Sequence, residues 1–395
     1  MRMPSHRTAG AGLRRLRRSL LVVLIVALGL FAVASLYFAG RIQSDGLAVQ
    51  PYPVERNLTL SPSDGDTVSI TSSDAHETRM LRAPSTFGLK WEGGYGRVSG
   101  PVVSQTDGRV VRRLEVVTGK HPADGTRAEL DLVAFPDDPK IALGPDVSEV
   151  TFSSSRGRFP AWFVRGNGPD QKPWAILVHG KGGSRMEMFR MTRATRTAGM
   201  PSLDITYRND EGRPRDPSGH YQYGLTEWRD LRGAVAYATA HGAERVVFGA
   251  DSMRGGIVAS YLRHQDEGET TGPEVVGLVL DAPMLDFGET VTFGARKLHV
   301  PGIVTWTAKR IAAARYDIDW DALDYLSDNS WLRVPALVFH GTADLTVPIA
   351  TSRELAKDRP DLVTLVETKG VEHVRSWNAD PAAYDARIRK FLGGR

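Results

Sequence analysis

No cysteine occurs anywhere among the 395 residues. That absence removes disulfides, a thiolate nucleophile and a lipidated cysteine from consideration. A chain of this length can rely on its core alone, even in an oxidising compartment. Histidines number ten, and none are paired at the His-Glu-x-x-His spacing that holds a metal on one helix face. No string of carboxylates resembles a calcium loop, so neither a metal nor an organic cofactor is expected. Acid is missing from the first 41 residues, which hold seven arginines; the rest of the chain carries 43 basic against 46 acidic side chains. The formal charge of +4 therefore belongs to the N-terminal segment and not to a basic surface, and nucleic-acid binding is not expected. Internal repeats and low-complexity tracts are also lacking.

Leu20 to Gly40 is uncharged and almost wholly apolar. As a helix rising about 1.5 Å per residue, it is long enough to cross a hydrocarbon layer of about 30 Å. Arg14, Arg15, Arg17 and Arg18 precede it, which places residues 1–19 in the cytoplasm and the body of the chain outside it. A cleaved signal peptide is the rival reading, because Ala32-Val33-Ala34 has the small-x-small form of a cleavage site. Apolar residues continue through Leu36, Tyr37 and Phe38, which favours an uncleaved anchor at the cell membrane.

Residues 43–148 read as short strands broken by turn residues, among them Thr67–Thr71, Phe87–Trp91, Val110–Val117 and Glu129–Ala134. From about Glu149 strands alternate with helical periods. This is the pattern of an α/β domain with a mostly parallel central sheet covered on both faces. Trp174–His179, Ser202–Tyr207, Arg245–Gly249, Val275–Ala282, Ala336–His340 and Leu362–Glu367 are its strands, and Pro381–Leu392 is a closing helix. Between them, residues 284–333 lack strand character, with helix expected over Val304–Ala314 and Asp321–Leu326. An insertion there is either a lid over a site or a packing decoration.

Two motifs place titratable residues just beyond strands. His340-Gly341-Thr342-Ala343-Asp344 ends in Val347-Pro348, and Gly370-Val371-Glu372-His373 follows the last strand. Upstream, Ser252 lies in Gly249-Ala250-Asp251-Ser252-Met253-Arg254-Gly255-Gly256, between a strand and a helix. The order Ser252, Asp344, His373 resembles the triad of the α/β-hydrolase superfamily, in particular its exported or membrane-anchored bacterial serine hydrolases. The likeness covers about residues 149–395. It implies Ser252 as nucleophile, His373 as general base and Asp344 as the acid that orients the ring. His179-Gly180-Lys181-Gly182-Gly183 resembles the family's oxyanion loop, which implies the N–H groups of Lys181 and Met253 as the two donors. The implied substrate is a small-molecule or lipid-like acyl ester, with thioester and amide as alternatives.

One departure stands out. The family's elbow is Gly-x-Ser-x-Gly, whereas Ala250 and Arg254 occupy the small positions here. If the arginine strains the turn, glycine in its place should raise the rate. Two other readings follow from this departure. In one, the elbow is spoiled and the protein is a non-catalytic surface scaffold. In the other, Asp251 is a carboxylate nucleophile with Gly249 before it. Arg208-Asn209-Asp210 and Glu227 are read as loop staples and helix caps.

Overall fold

A computed structural model describes residues 7–50, 55–106, 108–168, 173–266 and 272–394. Two compact units are present, one of residues 1–48 with 291–320 and one of residues 49–290 with 321–395. In the basic tail, residues 1–6 lie outside the described residues.

The smaller unit is helical. Helix α1 (Arg7–Arg41) contains the whole apolar run and passes into a π-turn at Ile42–Leu47.

In the larger unit the first strands are β1 (Leu58–Pro62), β2 (Thr67–Ser72), β3 (Phe87–Trp91), β4 (Gly94–Thr106), β5 (Arg109–Gly119) and β6 (Thr126–Asp131). A short helix, α2 (Ala75–Leu81), joins β2 to β3, and Asp74 caps it by accepting from the His76 and Glu77 N–H groups. The strands close into a barrel in the order β1-β2-β5-β4-β3-β6. Closure leaves no exposed sheet edge, and alternate residues such as Leu58, Leu60, Val68, Ile70, Leu89 and Val98 fill its interior.

After α3 (Pro139–Leu143) the second sheet begins with β7 (Val147–Ser154) and β8 (Gly157–Val164). It continues with β9 (Trp174–Val178), α4 (Phe189–Thr197), β10 (Ser202–Ile205), α5 (Trp228–Ala240), β11 (Arg245–Asp251), α6 (Arg254–Asp266) and β12 (Glu274–Asp281). Helices α7 (Phe287–Lys297) and α8 (Gly302–Tyr316) follow, then β13 (Ala336–Gly341), α9 (Ile349–Asp358), β14 (Val363–Thr368), α10 (Ser376–Ala379) and α11 (Pro381–Leu392). The eight strands run in the order β14-β13-β12-β11-β9-β10-β8-β7. Every pairing from β10 to β14 is parallel, while β7 and β8 extend the sheet antiparallel. All five residues of β9 and all six of β13 are buried, as parallel strands covered on both faces require.

Two expectations need correction. Asp321–Leu326 is not a helix but a run of turns closed by an isolated bridge between Asp286 and Asp324. Its short apolar spacing suits a buried turn as well as a helix, since Leu323 and Tyr325 are both core residues. Helix α7 lies where no regular element was expected.

Candidate active site

The parallel register brings the ends of five strands to one edge of the sheet. Ala250 pairs with Val178, Asp251 with Asp281 and Asp281 with Phe339, while Gly341 pairs with Thr368. Ser252, the 179–183 loop, Asp344 and the 370–374 loop therefore all leave the sheet at its carboxyl edge, where ligands of open α/β sheets bind.

Ser252 has φ +52°, a left-handed conformation that costs a non-glycine residue free energy and is held by its surroundings. Its N–H donates to the Asp281 carbonyl at 2.9 Å, and its own carbonyl accepts from Gly255 at 3.1 Å and Met284 at 2.8 Å. The turn thus projects the hydroxyl. Gly255 and Gly256 supply the close strand-to-helix packing: a Cβ at Gly255 would lie 2.5 Å from Pro283 Cβ, and one at Gly256 2.8 Å from the Tyr223 carbonyl oxygen. The small positions of this elbow are shifted toward the helix, which is how Arg254 is accommodated.

Ser252 Oγ lies 2.8 Å from His373 Nε2, and His373 Nδ1 lies 2.6 Å from Asp344 Oδ2. With the ring proton on Nδ1, the imidazole donates to the carboxylate and accepts from the hydroxyl. Asp344 Oδ1 accepts from the Thr346 and Val347 N–H groups at 2.7 and 2.9 Å. Burial alone would push the Asp344 carboxyl up, but hydrogen bonds from His340 and His373 outweigh it and hold the group well below the usual carboxylate range. His340 is a second imidazole on the same carboxylate, 3.3 Å from Oδ2, and is anchored by the Ser352 hydroxyl at 2.8 Å. Gly341 is needed for the loops to meet, because a Cβ there would come within 2.2 Å of the Val371 carbonyl oxygen.

The loop after β9 contains Lys181, the first of the two expected donors. The Gly180 N–H donates to Glu187 Oε2 at 2.8 Å and the Gly182 N–H to the Tyr221 hydroxyl at 3.2 Å, on either side of Lys181. Met253 is buried in the turn that opens α6, and its N–H has no hydrogen-bond partner among the described residues. His179, at the start of the loop, is wholly buried and bonded through Nε2 to Asp210 at 2.9 Å.

Arg254 is buried and folded beneath this loop, its guanidinium 4.7 Å from the centre of the Tyr207 ring. A Cβ at Gly180 would lie 2.8 Å from Glu187 Oε2, 3.3 Å from Asp251 Oδ1 and 3.8 Å from Arg254 Nη1, so these three side chains converge under Gly180. Burial and the nearby Glu187 carboxylate push the Asp251 carboxyl well up. Asp251 is therefore a buried partner of the loop's underside, and the group that meets the imidazole is Ser252. Arg208, Asn209 and Glu227 are internal as well: Arg208 forks onto Asp230, and Glu227 accepts from the Gln222 and Gly224 N–H groups.

Sequence reasoning missed the supports. Arg190 donates to the carbonyls of Val374 and Leu132, and Asn378 Nδ2 donates to those of Thr86 and Leu132 at 2.8 and 2.9 Å. His76 Nε2 lies 3.3 Å from Glu372, and Arg375 contacts Met80. The barrel thus braces the loop that carries His373. Nothing in the local sequence of Arg190 or Asn378 signals it, because both act on carbonyls more than 50 residues away.

Comparison with known proteins bears on the fold. The model Domain of unknown function (DUF8805) matches residues 61–131, most of the barrel. No curated protein matches the chain. Among solved structures, an esterase of Pyrococcus furiosus is 18% identical over 65% of this chain and 94% of its own, with a TM-score of 0.50. The hyperthermophilic esterase of the archaeon Pyrobaculum calidifontis is 18% identical over 67% of this chain and 88% of its own, with a TM-score of 0.46. At such identity the first likeness establishes the fold alone: the sheet and its helices form an α/β-hydrolase fold, here preceded by a barrel and an apolar helix.

Proposed function

We propose that the protein is a serine hydrolase that cleaves a carboxylic ester through an acyl-enzyme, held at the membrane by α1 with its body outside the cytoplasm. The observation that carries this reading is the continuous line from the Ser252 hydroxyl through the His373 ring to Asp344, at 2.8 and 2.6 Å. In the first step Ser252 Oγ bonds to the ester carbonyl carbon while its proton passes to His373 Nε2. Asp344 keeps the ring in the tautomer that can receive the proton and stabilises the imidazolium. The Lys181 and Met253 N–H groups would then donate to the oxyanion. Collapse expels the alcohol, which takes the proton from His373. Water, activated by the same ring, attacks the acyl-enzyme and returns the serine.

The anchor reading is supported by the exposure of Leu20, Leu21, Val22, Val23, Leu24 and Ile25 along α1, side chains that water would not favour. The four arginines before the run give the orientation.

A membrane-impermeant fluorophosphonate tests both claims. The expected result is covalent labelling of the full chain on intact cells, abolished in Ser252→Ala, with ester turnover lowered by about three orders of magnitude or more. Failure of well-folded purified protein to label would overturn the hydrolase reading; labelling only after lysis would overturn the orientation.

A further inference from the structure

Within the smaller unit, α8 packs along α1. The buried residues of the two helices are small: Ser35 and Ala39 on α1, Thr305, Ala308 and Ala312 on α8, with Val304 beside them. Ser35 and Ala39 are four apart, as are Ala308 and Ala312, so each pair lies on one helix face. Small residues at this spacing let helices approach closely, the mode of packing found between helices in lipid. Ser35 and Ala39 belong to the last turns of the apolar run. A helix seated on them lies at the level where the run leaves the hydrocarbon.

The other face of α8 does not fit an aqueous setting. Ile303 and Trp306 are 61% and 58% exposed, and Leu298, in the turn before α8, is 63% exposed. Outside α1, these are three of only six large hydrophobic side chains at least half exposed among the described residues, and they fall within nine residues of one another. The chain enters the α7–α8 hairpin after Thr290 and leaves it at Trp320, so Leu298 occupies its remote end. Basic residues frame the patch. Arg296 and Lys297 precede Leu298, and Arg310 follows Trp306 one turn on, with its guanidinium 5.5 Å from the indole centroid. An indole beside arginine, above an apolar tip, suits the headgroup layer, where the ring is half wetted and the cation meets phosphate.

We propose that the α7–α8 hairpin is a second membrane contact, with Leu298, Ile303 and Trp306 inserted into the outer surface of the bilayer against the exit of α1. The partner is a phospholipid surface, bound by shallow apolar insertion and by phosphate contacts from Arg296, Lys297 and Arg310. This rests on the reading of α1 as an uncleaved anchor and adds to it a part of the folded body that lies on lipid.

Because the chain has no cysteine, single thiols can be placed without background. Full-length Leu28→Cys, Ile303→Cys, Trp306→Cys and Ile141→Cys variants, labelled with an environment-sensitive nitrobenzoxadiazole dye, are to be reconstituted in phosphatidylcholine–phosphatidylglycerol nanodiscs with and without nitroxide lipids. Dye at 303 and 306 is expected to emit to the blue and to lose most of its intensity to the nitroxide, as dye at 28 does, while dye at 141 stays in water. Aqueous emission at 303 and 306 with quenching at 28 would overturn the hairpin contact and leave the anchor standing. Aqueous emission at 28 would sink the anchor itself.

Discussion

Arg254 stands two residues after Ser252, where the family pattern has glycine, yet its side chain leaves the gap between Ser252 and His373 clear. It turns under Gly180 and stacks on Tyr207, beside Glu187 and Asp251. Glu187 in turn holds the Gly180 N–H, so the cation supports the loop that carries Lys181. Removing it would leave the buried Asp251 carboxyl facing the half-buried Glu187 carboxylate with this cation gone, the former already pushed up by burial and by the latter. Truncating a wholly buried side chain of this size leaves a cavity, at a cost on the order of 2–5 kcal/mol. Arg254→Gly is therefore expected to lower unfolding free energy by about that amount and to reduce ester turnover, as read by urea denaturation and a chromogenic ester. This reverses the expectation from the motif alone, in which glycine relieves strain. A more active Arg254→Gly enzyme of undiminished stability would show that the arginine does nothing for the loop.

Among the elements, the barrel has a mechanical part that its own sequence does not announce. It meets the loop between β14 and α11 through Asn378, whose side-chain Nδ2 serves two barrel-side carbonyls and whose backbone carbonyl accepts from the Thr86 N–H at 2.7 Å. Asn378→Ala takes this donor from the Thr86 carbonyl, at a cost of about 1–3 kcal/mol for a buried group left unpaired, while the Leu132 carbonyl keeps Arg190. The loop also sets the His373 ring against Ser252, and a displacement of an ångström at such a contact can cost up to about a hundredfold in rate. Asn378→Ala should accordingly lower kcat on the order of tenfold with little change in KM, together with a lower Tm. A lower Tm with kcat intact would restrict the barrel to a stabilising role. What was legible in the sequence follows the same division. Strand-end residues such as Asp344 and His373 were found because local motifs place them and parallel strands deliver them to one edge. Arg190 and Asn378 were not, since their partners are fixed only by tertiary contact. Barrel closure was likewise invisible, because alternation reports which face of a strand is buried and not which strands pair.

For the molecule as a whole, the sheet's placement was readable because its strands are long apolar runs between turn signals, whereas the charges buried with it were not. Asp204 lies in β10, fully enclosed, accepting from the Thr192 hydroxyl at 2.8 Å and more weakly from Ser202. Burial pushes its carboxyl up to about 7, and burial also pushes Asp281 in β12 up to about 6. A carboxyl whose pKa is raised by folding holds its proton in the native state where the unfolded chain has lost it. Stability from such a group is present below the unfolded value of about 4 and declines as pH rises through the folded value. Asp344 works in the opposite sense: its depressed carboxyl contributes stability above about 4 that is lost only on further acidification. Asp204→Asn isolates the first effect, since the amide keeps an acceptor for Thr192 and cannot ionise. At one pKa unit per about 1.4 kcal/mol, the shift to about 7 corresponds to roughly 4 kcal/mol of lost stability above that pH. The variant should match the native protein near pH 4 and exceed it increasingly up to about pH 7, with a constant advantage beyond. Denaturant titrations at fixed pH steps read this directly. An advantage that does not change with pH would mean that Asp204 is ionised in the fold at every pH tested, with Thr192 and Ser202 sufficient to hold its charge inside the sheet.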